Sequence, residues 1–147
     1  MTPLIVLVVS ALIFWIAGKA GVAAFEDPGF VLRAALAVMF LLTAFAHWGR
    51  RRPDLIRMVP PSFPRPDLLV TITGVLELLG VIGLLVPATA RMACICLALL
   101  LVALFPANIH AARQELTIAG QRVPNLPVRT LIQIVFLVTL IAAAWFR

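Results

Sequence analysis

The sequence has few charged residues for its length. Of 147 residues, 12% are Asp, Glu, Lys or Arg, whereas 63% are hydrophobic. A soluble domain has about a quarter charged residues and roughly half apolar ones. The polar residues are therefore too few to cover a soluble surface, and the composition favours an integral membrane protein.

Motifs for metal, haem and nucleotide binding are also missing. The two cysteines, Cys94 and Cys96, point to nearly opposite sides of a helix, so they cannot share a metal ion or close a disulfide. The sequence has no CxxC pair, no His pair spaced for haem and no glycine loop for a nucleotide. We expect no catalytic residue set and no metal site. A non-catalytic membrane subunit or a binding protein is favoured over a stand-alone enzyme.

Five apolar stretches are long enough to cross a bilayer as helices. They are residues 4–25, 30–48, 68–86, 92–109 and 128–146. Because lipid cannot satisfy backbone polar groups, we predict an all-α membrane protein with a transmembrane four-helix bundle core and an additional N-terminal transmembrane helix. Residues 1–147 form one integral membrane domain. The alternative for the first stretch is a signal peptide cleaved after residues 22–24, although no basic residue precedes it.

The basic residues lie mainly in two connections that share a side in a five-span chain. Seven of the twelve are there, and an eighth, Arg129, lies on the same side just inside the last span; the seven are Arg50, Arg51, Arg52, Arg57, Arg65, Arg113 and Arg122. The positive-inside rule then predicts a multi-pass protein of the bacterial cytoplasmic (inner) membrane, with the N-terminus in the cytoplasm and the C-terminus outside. Basic loops beside spans meet lipid headgroups, so we expect the bilayer, and no nucleic acid, as partner. Residues 54–59 mix apolar and charged side chains and predict a short amphipathic helix on this membrane surface.

Glu77 is the most informative polar residue, because a carboxylate at membrane depth is costly. Thr73, Gly74 and Gly80 share its helix face, which places Glu77 in the bundle interior. It is a candidate ligand or proton site. The alternative is a neutral Glu that only hydrogen-bonds neighbouring helices.

The second span carries a matching stripe. Arg33 and His47 lie on one face, with Thr43 at its edge. His47 could relay protons or bind a polar headgroup, or serve only as a hydrogen-bonding anchor. Arg33 is a weaker candidate, because its position favours an interfacial arginine whose side chain extends towards the lipid headgroups over a partner of Glu77.

A break in the fourth span supplies further candidates. Pro106 bends the helix, and Asn108 could take up the freed carbonyl or join His47 at a polar mouth on the cytoplasmic side. Asn108 and His110 are two residues apart, so we expect only one of them, Asn108, to face inward. Gln133 could complete this polar lining.

Four motifs in this order resemble the DoxX and DoxX-like family of small bacterial membrane proteins. They are AFAHW at 44–48, MVPP at 58–61 followed by Phe63 and Pro64, TGVLELLG at 73–80 and FPANIHAA at 105–112. The resemblance covers residues 30–147 as a four-helix core, and residues 1–25 look like a helix added in one branch. The family name derives from a small subunit of a membrane thiosulfate:quinone oxidoreductase. The resemblance therefore implies association with membrane redox systems.

Two functions follow as hypotheses. The first is an accessory or anchor subunit of a membrane-associated oxidoreductase, binding quinone as its only expected cofactor. The second is a binding or transport bundle for a lipid-like or small amphiphilic molecule, coupled to protons through Glu77. A purely structural membrane protein is a third reading. Homo-oligomerisation is compatible with each.

Overall fold

The computed structural model describes residues 1–146 and is almost wholly helical. In chain order the helices are α1 (Thr2–Lys19), α2 (Pro28–Ala46), α3 (Arg52–Met58), α4 (Pro66–Leu85), α5 (Ala90–Ala103), α6 (Phe105–Arg113) and α7 (Leu126–Trp145). A single 3₁₀ turn, Ala23–Phe25, follows α1, and two short strands, β1 (Thr117–Ile118) and β2 (Gln121–Arg122), follow α6.

Five helical stretches are long and apolar enough to cross a membrane, as the sequence predicted. They are α1, α2, α4, α5 continued by α6 (Ala90–Arg113), and α7. The all-α membrane class is thus confirmed. Their outer faces expose large apolar side chains, which suits contact with lipid.

The four-helix core closes as a ring. Helix α2 contacts α4, α4 contacts α5, α5 contacts α7, and α7 returns to α2. Helix α1 packs on the outside of α2 and exposes most of its apolar side chains. The core between the helices is built on fully buried Leu36, Phe40, Leu84, Leu97 and Leu140.

The first helix ends earlier than its hydropathy predicts. Helix α1 stops at Lys19 rather than at residue 25, because Gly21 adopts a left-handed conformation with φ of 93°. The Gly21 and Val22 amides then bond back to the carbonyls of Gly18 and Ala17, the geometry of a Schellman cap. Phe25 folds back so that its ring stacks on Phe14 at 4.7 Å between centroids.

Local residues explain where two of the spanning helices begin. Asp27 caps α2 by accepting from the amides of Gly29 and Phe30 at 2.9 and 3.0 Å, with Pro28 in the first turn. Asn125 caps α7 by accepting from the amide of Val128 at 3.2 Å. These caps satisfy donors that a helix N-terminus leaves without partners.

The two basic connections are more ordered than plain loops. The short helix expected at residues 54–59 is confirmed as α3. Residues 114–127, which connect the fourth and fifth spans, contain the β1–β2 hairpin, for which no prediction was made from the sequence. Its turn residues, Ala119 and Gly120, have φ of 51° and 77°, the two positive values of a type I′ turn. The amide of Ala119 donates to Asp54 Oδ2 at 2.8 Å, which fastens the hairpin to α3.

Candidate functional site

One large cavity opens at the end of the bundle where the basic connections lie. Its volume is about 720 Å³. Residues of α2, α4, α5, α6 and α7 form its walls, while α3, the hairpin and the first residues of α1 surround the opening. The walls are mostly apolar, with side chains such as Leu42, Val70, Leu101, Ile132 and Phe136. A cavity of this size and character suits a small amphiphilic molecule.

Glu77 lies at the cavity wall within α4 and is only 4% exposed. Thr43 Oγ1 lies 2.7 Å from Glu77 Oε2 and 3.0 Å from the carbonyl oxygen of Phe40. A hydroxyl has one proton, and a backbone carbonyl can only accept. Thr43 therefore shares its one hydroxyl proton between the carboxyl of Glu77 and the carbonyl of Phe40. The expected interior placement of Glu77 is confirmed, and the sequence had put Thr43 only at the edge of the stripe.

His47 meets the same threonine from the cavity mouth. Its side chain is buried, and Nδ1 lies 2.9 Å from the carbonyl oxygen of Thr43. Since a carbonyl cannot donate, Nδ1 carries the proton, and in the neutral ring Nε2 is left as an acceptor. The distance from Nδ1 to Glu77 Oε2 is 4.0 Å. Thr43 thus brings the two titratable side chains of this site together.

The close approach of α2 to α4 depends on Gly74. A Cβ atom at position 74 would lie 2.7 Å from the Cβ of His47 and 2.8 Å from Cη2 of Trp48. Such separations are shorter than van der Waals contact, so the small-residue face around Glu77 is what lets His47 reach it.

Arg52 holds the same helix ends together from α3. Its guanidinium donates to the carbonyl of His47 at 2.8 Å, to the carbonyl of Asp67 at 3.1 Å and to Thr71 Oγ1 at 2.9 Å. One side chain therefore joins the end of α2 to the start of α4. The sequence identified Arg52 only as part of the positive charge of its loop.

A second polar group lines the cavity between α6 and α7. Arg129 Nη2 donates to Asn108 Oδ1, and Asn108 Nδ2 donates to Gln133 Oε1 at 3.1 Å. Gln133 Nε2 in turn donates to the carbonyl of Leu101 at 3.1 Å, where the helix is interrupted at Leu104. Asn108 does face inward, and it bonds to Arg129 and Gln133 of α7 rather than to a backbone carbonyl at the break.

The remaining candidates have separate positions. Thr73 lines the cavity and bonds to carbonyls of its own helix, Leu69 at 2.9 Å and Val70 at 3.1 Å. Arg33 lies about 21 Å along α2 from His47, where its guanidinium pairs with Asp27 at 3.3 Å. It does not line the cavity. His110 is half-buried and does not line the cavity.

The two cysteines have different surroundings. Cys94 is buried, Cys96 is exposed and neither is in a disulfide. Within residues 1–146, no group of three His, Cys, Asp or Glu side chains is arranged to hold a metal ion. The polar side chains that the structure describes at the cavity can bind a ligand through hydrogen bonds and through the charge of Arg129.

Fold and site together define an all-α membrane bundle with an amphipathic cavity at its basic end. The chain belongs to the family described as "Domain of unknown function (DUF8561)", which matches residues 36–147. That range contains α4 to α7 and most of α2, hence Glu77, His47, Asn108 and Arg129. No curated protein and no solved structure matches the chain.

Proposed function

We propose that the protein is an accessory subunit of a membrane-associated oxidoreductase system, and that its cavity binds a quinone. The observation that carries this proposal is the pair formed by Glu77 and His47 around Thr43, at the wall of an otherwise apolar cavity. A quinone ring needs an apolar slot and one or two hydrogen-bond partners for its carbonyl oxygens. A protonated Glu77 or His47 can donate to such a carbonyl, and neutral His47 Nε2 can accept from a quinol hydroxyl.

The proposed location is the bacterial cytoplasmic membrane, with the cavity opening to the cytoplasm. The two basic connections, which hold seven of the twelve Lys and Arg residues, lie with Arg129 at the end of the bundle where the cavity opens. By the positive-inside rule this end is cytoplasmic, which puts the N-terminus inside and the C-terminus outside. A partner that exchanges electrons with the quinone would then dock near α3 and the hairpin. The resemblance to the DoxX-like family supports a redox partner of this kind.

Quinone binding is tested directly with the purified full chain. A short-chain ubiquinone is titrated into wild-type protein in mild detergent, and into a Glu77→Leu variant of similar side-chain volume. Removal of a buried hydrogen-bond partner costs about 1–3 kcal/mol, so we expect binding about 5- to 150-fold weaker. Glu26→Leu is the matched control, because Glu26 is exposed and does not line the cavity. Equal affinity of wild type and Glu77→Leu would remove Glu77 from the proposed site.

A second candidate is a proton-coupled binding or transport bundle for a lipid-like or small amphiphilic molecule. The favouring observation is the carboxyl of Glu77, a titratable group that is buried at the wall of an apolar cavity and bonded to Thr43. Glu77→Gln keeps the size and polarity of the side chain but cannot exchange a proton. Uptake of an amphiphile into proteoliposomes that depends on pH in wild type, and loses that dependence in Glu77→Gln, would favour this candidate over the redox subunit.

A further inference from the structure

The mouth of the cavity carries positive charge that the described residues do not balance. Arg51, Arg122 and Arg129 line the cavity, whereas Glu77 is the one carboxylate among the described lining residues. Arg122 pairs with Glu115 at 3.7 Å, but both side chains are largely exposed, so that pair contributes little. Arg51 and Arg129 have no carboxylate within 4.0 Å in residues 1–146.

The guanidinium of Arg129 lies in the wall of the cavity. Its Nη2 is held by Asn108, which Gln133 holds in turn, so two neutral amides fix the position of the charge without neutralising it. Its Nε is buried with no hydrogen-bond partner in the described chain. Buried donors without partners are uncommon in proteins, and the planar guanidinium of an arginine presents donors that match the geometry of phosphate and similar oxyanions.

Arg129 and Glu77 lie at different depths. Arg129 is three residues from the start of α7 and Glu77 is eleven from the start of α4, which correspond to about 5 and 17 Å along the helices. Both helices start at the end where the cavity opens. An anion at Arg129 is therefore separated from the carboxyl of Glu77 by about 12 Å of helical rise.

We propose that Arg129 is the centre of an anion site at the cavity mouth, which binds the oxyanion of a phosphate or sulfate group. Arg51, directly before α3, adds a second positive charge to the cavity lining. The same chemistry is offered by the phosphodiester of an anionic lipid and by a free inorganic oxyanion. The site does not depend on quinone binding at Glu77, so loss of quinone binding leaves this inference intact.

The lipid source is tested by native mass spectrometry of the full chain. The protein is reconstituted in nanodiscs with equal amounts of phosphatidylglycerol and phosphatidylcholine of the same acyl chains. The lipids it retains are then counted. We expect wild type to be enriched in the anionic lipid, and Arg129→Gln to lose about tenfold or more in apparent affinity. Arg91→Gln is the control, because Arg91 lies over the Trp145 ring and does not line this cavity.

The free-anion source is tested by thermal unfolding in neutral detergent, with sodium sulfate compared with sodium chloride at equal ionic strength. Stabilisation specific to sulfate, lost in Arg129→Gln and kept in Arg91→Gln, identifies an inorganic oxyanion. Arg129→Lys keeps the charge but loses the planar fork, so an intermediate effect is expected even if Arg129→Gln folds poorly. The proposal is wrong if wild type shows neither effect, or if both effects persist in a folded Arg129→Gln protein.

Discussion

Replacing Gly74 by alanine should disturb the candidate site through one added methyl group. Its Cβ would lie 2.7 Å from the Cβ and 2.8 Å from the Cγ of His47, so α2 and α4 must separate by several tenths of an ångström. Overpacking of this kind costs about 1–3 kcal/mol, and the better helix propensity of alanine returns about 1 kcal/mol. We expect a net destabilisation of up to about 2 kcal/mol, with His47 displaced from Thr43.

The matched control is Gly83→Ala on the same helix. A Cβ at position 83 would meet the Cβ of Ala93 at 2.8 Å, an equally tight contact, but neither residue lines the cavity. Thermal unfolding and quinone titration are measured on both variants. We expect similar losses of stability and a loss of quinone affinity only in Gly74→Ala. If Gly74→Ala is as stable as wild type and binds quinone equally well, the close packing of His47 against α4 does not position the site.

Three further results are expected. Arg52→Gln loses three hydrogen bonds between α3 and the ends of α2 and α4, so it should lower the free energy of unfolding by about 1–3 kcal/mol in denaturant titrations, whereas Arg50→Gln should change it little. The Ala119 amide, and then Arg57, lower the pKa of Asp54 below its usual value. The bond from Ala119 to Asp54 therefore stabilises the hairpin fully at pH values above the unfolded-state pKa of Asp54, and this stabilisation is lost as the pH falls through the folded-state pKa. A lower hydrogen-exchange protection factor of the Ala119 amide below about pH 4, relative to its intrinsic rate at the same pH, would detect the loss. Asp27→Ala removes the cap of α2 and should cost about 1 kcal/mol in thermal unfolding, and an unchanged melting temperature would contradict that capping role.

The spans could be predicted because hydropathy over about 20 residues reports burial in lipid directly. Their ends could not, since they depend on single backbone conformations. Gly21 ends α1 inside a run that stays apolar to residue 25. The hairpin was missed because its turn is Ala119-Gly120 rather than the Asn-Gly or Asp-Gly pair that signals a type I′ turn.

The candidate site was only partly visible in the sequence. Glu77 and His47 stand out because titratable residues are rare in membrane spans, and helical spacing put Glu77 on a small-residue face and His47 on one face with Arg33. Arg129 did not stand out, because it lies beside a basic loop and was counted there only as one of the positive charges that determine membrane orientation. Its partner Asn108 lies 21 residues away on another helix, and only the folded chain brings the two together. One clue was present: Arg129 and Gln133 are four apart and so share a helix face.

The central claim is that a quinone occupies the cavity of a redox accessory subunit. The most direct test is native mass spectrometry of the full chain extracted from its membrane in mild detergent, with every retained molecule identified. We expect a quinone or an oxidoreductase subunit on wild type, with quinone lost from Glu77→Leu but kept by Glu26→Leu. Retention of lipids alone, equal in all three proteins, would contradict the redox role and favour the amphiphile-binding bundle.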